Sequence, residues 1–154
     1  MRTCLFITLI LVFPTTLVQA DERQVLESTL IALAQSAPGS STWIPAQEVA
    51  SRDRVRYQLE MISHAKQPLA KLQAAIPVPE NATYISNSAQ PAPSLASVDG
   101  VKFAAVPLIR VERQTDGTLA QTEIPQSEYR ALAWQIAALN PGEAKNLSIE
   151  VVID

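Results

Sequence analysis

In residues 53–62, Val55, Tyr57, Leu59 and Met61 fall on one parity and Arg54, Arg56, Gln58 and Glu60 on the other. That period of two is the mark of a strand with one buried face. A helix would juxtapose residues three and four apart, mixing Val55 with Gln58 and Tyr57 with Glu60. Residues 70–76 repeat the pattern, with Leu72, Ala74 and Ile76 against Lys71, Gln73 and Ala75, and stop at Pro77-Val78-Pro79. Residues 128–136 align Leu132, Trp134 and Ile136, with Arg130 starting the same row at the solvent edge. In residues 146–154, Leu147, Ile149, Val151 and Ile153 alternate with Ser148, Glu150, Val152 and Asp154. Between these last two segments stands Asn140-Pro141-Gly142-Glu143. Proline presets one corner of a tight turn and glycine accepts positive φ at the next, so the two strands are expected to pair as a hairpin.

Shorter signals fill the rest. Thr83, Tyr84 and Ile85 mark a strand within 82–88, and Asp99-Gly100 and Asp116-Gly117 each separate β-prone runs with a hairpin turn. Val25, Leu26, Leu30, Leu33 and Ala34 suit either a strand or an amphipathic helix; strand is the preferred reading. Pro38-Gly39-Ser40-Ser41 then reads as a turn and Thr42-Trp43-Ile44 as the returning strand, while 87–97, rich in Ser, Ala and Pro, reads as an irregular crossing or exposed loop. The total, up to roughly nine strands at this spacing, predicts an all-β antiparallel sandwich.

The first twenty residues stand apart. Arg2 precedes an apolar run from Leu5 to Phe13, then Pro14 and Val18-Gln19-Ala20, the layout of a cleavable signal peptide over 1–20. A membrane anchor would need about 20 continuous apolar residues, and Pro14, Thr15 and Thr16 interrupt this run. Residues 21–154 are then one exported domain, periplasmic or extracellular at the cell surface, with no membrane span once the leader is removed. The chain's single cysteine, Cys4, leaves with the leader, so neither disulfides nor thiolate metal sites are expected. All but one of the eleven prolines lie beyond the leader, leaving little room for long helices. Without Arg2, the twelve Lys and Arg become eleven against fifteen Asp and Glu. That balance argues against a nucleic-acid partner.

Candidate chemistry is sparse. His64, the only histidine, lies in a predicted surface turn without the base, nucleophile and orienting acid of a triad in local sequence. Asp99 and Asp116 read as turn formers rather than calcium ligands, and the four isolated glycines make no phosphate cradle. No cofactor, metal or catalytic residue is expected. Trp43, Trp134, Tyr57, Tyr84 and Tyr129 are aromatic residues of the kind that builds a carbohydrate-stacking platform, but Trp134 and Tyr57 lie on predicted inward faces. Trp43 is the freer to stack on a ligand and is the candidate binding residue. Asn81-Ala82-Thr83 and Asn146-Leu147-Ser148 match the glycan acceptor pattern, which matters only in a host that glycosylates exports.

Four stretches occur in a familiar order: Ile44-Pro45-Ala46 leading to Ser51-Arg52-Asp53-Arg54-Val55-Arg56-Tyr57, Ile76-Pro77-Val78-Pro79-Glu80-Asn81-Ala82-Thr83-Tyr84-Ile85, Ser97-Val98-Asp99-Gly100-Val101-Lys102-Phe103, and Trp134 through Val152. Together they resemble the bacterial conserved-repeat domain known as domain of unknown function eleven, an immunoglobulin-like β module of exported and surface proteins. Two places depart from it: Arg52 stands where the family carries glycine, and Ser63-His64-Ala65 where it carries an asparagine-led turn. The resemblance implies an immunoglobulin-like sandwich and a scaffold or interaction role, with no functional residues to carry over. The expectation is an exported, non-enzymatic structural or protein-interaction module of the cell envelope, its partner an unknown protein or envelope component. A carbohydrate or small-ligand binding module is the alternative, and a secreted hydrolase using His64 ranks below both.

Overall fold

The computed structural model describes residues 25–154, so the predicted leader, residues 1–20, lies outside the described residues. Eleven strands are described: β1 (Leu26–Gln35), β2 (Trp43–Pro45), β3 (Arg54–Ser63), β4 (Leu69–Pro77), β5 (Ala82–Tyr84), β6 (Leu95–Ser97), β7 (Ala104–Ala105), β8 (Ile109–Arg113), β9 (Leu119–Glu123), β10 (Ala131–Leu139) and β11 (Ala144–Ile153). Among the described residues one 3-10 turn (Gln126–Glu128) interrupts them. They form a five-stranded sheet in the order β2-β1-β3-β11-β5, a four-stranded sheet in the order β4-β10-β6-β7, and a separate β8-β9 ribbon. Every strand pairing is antiparallel. The ambiguous segment at 25–34 is strand, paired with β3 along nearly its whole length.

One apolar interior joins the two larger sheets. Val55, Met61, Leu147, Ile149 and Val151 from the first pack with Ala74, Ile76, Ala96, Leu132, Trp134 and Ile136 from the second, so the architecture is an all-β sandwich. The period-two rows read from sequence are its two inner faces. Trp134 is 4% exposed, and its indole Nε1 donates to the Pro91 carbonyl at 2.8 Å.

The expected hairpin of the last two strands is not formed. The turn itself is present, with the Glu143 N–H donating to the Asn140 carbonyl at 3.0 Å and Gly142 at φ 75°. Its two arms enter different sheets: Leu132 pairs with Ile76 of β4, whereas Leu147 pairs with Leu59 of β3. Turn residues specify a reversal of direction, not whether the arms hydrogen-bond to each other. Here the ends of the turn are fastened to β3, by Gly142 N–H to the Ser63 carbonyl at 2.8 Å and Ser63 N–H to the Glu143 carbonyl at 3.0 Å. The two apolar rows therefore face each other across the core instead of lying side by side. The Asp99-Gly100 and Asp116-Gly117 signals do close hairpins, β6-β7 and β8-β9. The stretch 87–97, read as irregular, is tied down more firmly than expected: Gln90 bridges to Ser148, Ala89 is buried, and its end is strand β6.

Arg52, where the resembled family carries glycine, has φ 74°. That left-handed conformation suits glycine and strains other residues. It is held by Arg52 N–H to the Ile153 carbonyl at 2.7 Å and Asp53 N–H to the Ala50 carbonyl at 3.1 Å.

Candidate functional site

Trp43 lies in β2 opposite Gln35, and therefore on the outer face of the larger sheet with Leu33 and Arg56. Its ring is half-exposed. The Arg56 guanidinium sits 4.1 Å from the ring centroid, a cation–π contact. Arg56 is fixed in turn by Glu150, whose Oε1 accepts from Arg56 Nη2 at 2.6 Å and whose Oε2 accepts from Arg54 Nη2 at 2.6 Å. One carboxylate thus holds two arginines, one of which lies over the indole ring.

His64 is exposed, and its Nε2 lies 2.9 Å from Glu27 Oε2. This pairs an imidazole with a carboxylate at the sheet surface. The adjacent Ser63 points into the core, fully buried, and its Oγ has no hydrogen-bond partner, while the His64–Glu27 pair lies on the outer face. Asp99 and Asp116 act as turn formers. Asp99 Oδ1 accepts from the N–H groups of Val101 and Lys102 at 2.8 and 2.7 Å and from Ser97 Oγ at 2.8 Å. Those donors, the Lys102 and Val101 backbone first, lower its pKa to about 2. Among the described residues no group of three or more His, Cys, Asp or Glu is placed to hold a metal, and no helix is long and apolar enough to cross a membrane.

Two features escaped sequence reasoning. The first is a cavity of about 430 Å³ lined by Tyr84, Asn87, Gln90, Pro107, Gln126 and Tyr129 among others. Tyr84 and Tyr129 stack at its base with centroids 6.4 Å apart. Each phenol oxygen accepts a backbone N–H, from Ala89 and Leu108 respectively, at 3.2 Å. A phenol that accepts retains its own O–H as a donor. At the mouth, Asn87 and Gln126 pair reciprocally: the Asn87 N–H donates to Gln126 Oε1 at 2.9 Å, and Gln126 Nε2 donates to Asn87 Oδ1 at 3.3 Å. These residues come from segments far apart in the chain, and no local pattern announces them.

The second feature is the edge of β1, which no strand covers before Ala32 among the described residues. Burial across the core face of the larger sheet falls from fully buried Leu147, Ile149 and Val151 on β11, through half-buried Tyr57 and Leu59 on β3, to Leu30 on β1, which is 47% exposed. Of the core-facing side chains of β1, Leu26 and Ala32 pack against the core at half burial, whereas Ser28 and Leu30 are exposed. The His64 N–H donates to the Val25 carbonyl at 2.9 Å, and this fixes the odd residues of β1 as those bonded to β3. Leu26, Ser28 and Leu30 therefore direct their N–H and C=O groups away from the sheet. β2 covers the edge only from Ala32 onward, where Ala46 N–H reaches the Ala32 carbonyl at 2.9 Å.

No family model, curated protein or solved structure matches the chain.

Proposed function

We propose that this chain is an exported, non-catalytic module of the cell envelope that holds other polypeptides by strand addition along the open edge of β1. The observation that carries the reading is the outward-facing backbone of Leu26, Ser28 and Leu30 beside the exposed Leu30 side chain. An extended segment laid there gains main-chain hydrogen bonds and covers apolar surface in one step. Folded proteins normally blunt such edges with lysine, proline or a bulge; from Leu26 to Ala32 this strand has no lysine and no proline. The leader-like first twenty residues support export. The order of the four motif stretches supports an immunoglobulin-like kinship with the bacterial conserved-repeat domain. The separation of His64 from Ser63 supports a role without catalysis.

Ser28→Pro tests the reading. Ser28 gives no ladder bond to β3, and proline is tolerated on a free edge, so the fold persists while the outward donor is lost. A polypeptide retained from envelope extracts by the wild-type chain is expected to be released by Ser28→Pro at unchanged melting temperature. Equal retention by both forms contradicts the reading.

The cavity favours a second reading, a binding site for a small ligand rich in acceptor oxygens such as a sugar. Its volume falls within the range of small-molecule sites, and the Tyr84 and Tyr129 hydroxyls supply donors at its base. A glycan panel read by intrinsic fluorescence tests it. Binding that is insensitive to Tyr84→Phe and Tyr129→Phe would exclude this cavity.

A further inference from the structure

The β8-β9 ribbon projects three large aliphatic side chains to solvent, Ile109, Val111 and Leu119, and all five residues of β8 are exposed. Its pairing fixes the direction of each backbone group. Ile124 N–H donates to the Leu108 carbonyl at 2.8 Å, and Gln114 N–H donates to the Thr118 carbonyl at 2.8 Å. In this register the even residues of β8 bond to β9. Ile109, Val111 and Arg113 therefore present their N–H and C=O groups on the opposite edge, which no strand covers among the described residues.

We propose that this edge pairs with the same edge of a second copy of the chain, about a two-fold axis at Val111. The symmetry places Val111 opposite Val111 of the second copy and Ile109 opposite its Arg113, with each of these pairs exchanging main-chain hydrogen bonds. Arg110 then falls opposite Glu112 of the second copy, and Glu112 opposite its Arg110. These are non-hydrogen-bonded positions, where facing side chains approach most closely. The segment Ile109-Arg110-Val111-Glu112-Arg113 is self-complementary only in this antiparallel, two-fold arrangement, which is the isologous geometry of most homodimers. Charges of one sign would repel in any pairing; opposite signs two residues apart attract across the dyad.

Within the chain, Arg110 Nη2 donates to Glu128 Oε2 at 2.8 Å, whereas Glu112 has no ion-pair partner among the described residues. Pairing completes Glu112 and extends the Arg110–Glu128 bridge into a network. On the other face it sets Ile109 and Val111 of the two copies side by side. This surface is separate from the β1 edge, and the proposal stands or falls independently of strand addition there.

Sedimentation of the full chain across a concentration series tests it. Wild type is expected to show a reversible monomer–dimer equilibrium. Arg110→Glu and Glu112→Arg each turn both cross-strand pairs repulsive and are expected to weaken association about tenfold or more. An equimolar mixture of the two variants should dimerise again, because positions 110 and 112 are then both acidic on one edge and both basic on the edge it meets. Glu112→Arg leaves the Arg110–Glu128 bridge intact, and recovery in the mixture excludes misfolding as the cause of dissociation. Ser28→Pro should leave the dimer unchanged. A wild-type chain monomeric up to about 1 mM, a dimer indifferent to the charge reversals, a mixture that stays monomeric, or a dimer dissociated by Ser28→Pro would each overturn the proposal.

Discussion

Tyr84 and Tyr129 stack with rings 5° from parallel, and the Tyr129 hydroxyl receives the backbone N–H of buried Leu108 at 3.2 Å. This pair fastens the entry to the β8-β9 ribbon onto the sandwich and forms the base of the cavity. Tyr129→Phe keeps the stack and strands the Leu108 N–H in an apolar setting. The expected loss is about 1–3 kcal/mol, read from the midpoint of urea unfolding, and an unchanged midpoint would show that water replaces the phenol.

Trp134 combines the largest core side chain with one specific bond, to the Pro91 carbonyl at 2.8 Å. Trp134→Ala should cost about 3–5 kcal/mol in thermal or denaturant melting. Trp134→Phe retains most of the packing and loses the bond, so it should cost clearly less. Equal losses from the two would assign the role to the hydrogen bond alone.

Asp99 makes stability depend on acid. Its folded-state pKa, about 2, lies below the ordinary 3.8 because the Lys102 and Val101 N–H groups and the Ser97 hydroxyl stabilise the carboxylate. Between those values the unfolded chain binds more protons than the folded one, so this contribution is complete above 3.8 and lost as pH falls toward 2. Asp116, lowered first by the Thr118 side chain and then by its backbone, acts in the same direction. Asp99→Asn should therefore be less stable than wild type at about pH 6, with the gap closing in strong acid. A gap independent of pH would contradict the assignment.

Arg52 occupies a left-handed backbone at φ 74°. Arg52→Gly removes the steric strain of that conformation, roughly 1–2 kcal/mol, against the added freedom glycine gives the unfolded chain. A net stabilisation of up to about 1 kcal/mol in Tm-derived stability is expected. A loss would show that the Arg52 side chain contributes packing that outweighs the strain.

The strands were legible in the sequence wherever burial is one-sided. Val55 and Met61 on β3, and Leu147, Ile149, Val151 and Ile153 on β11, alternate because each strand has one wet face. Sheet membership was not legible at β10 and β11. Asn140 to Glu143 encode a reversal, and the choice between partners was made by the Ser63 end of β3. The Arg56 guanidinium over Trp43, and the Glu150 carboxylate that holds it, were not legible because both are tertiary facts. The cavity gathers Tyr84, Pro107, Gln126 and Tyr129 from separate loops and strands, so its chemistry has no sequence period. The open edges follow from where pairing stops, and pairing is a property of the assembled sheets.

Site-resolved amide hydrogen exchange on the free chain reads whether the β1 edge is uncovered, residue by residue. Alternation within this one strand is expected: Glu27, Thr29 and Ile31, bonded to β3, exchange slowly, while Leu26, Ser28 and Leu30 exchange quickly. Slow exchange at both parities would mean that the edge is already covered, and strand addition there would be contradicted.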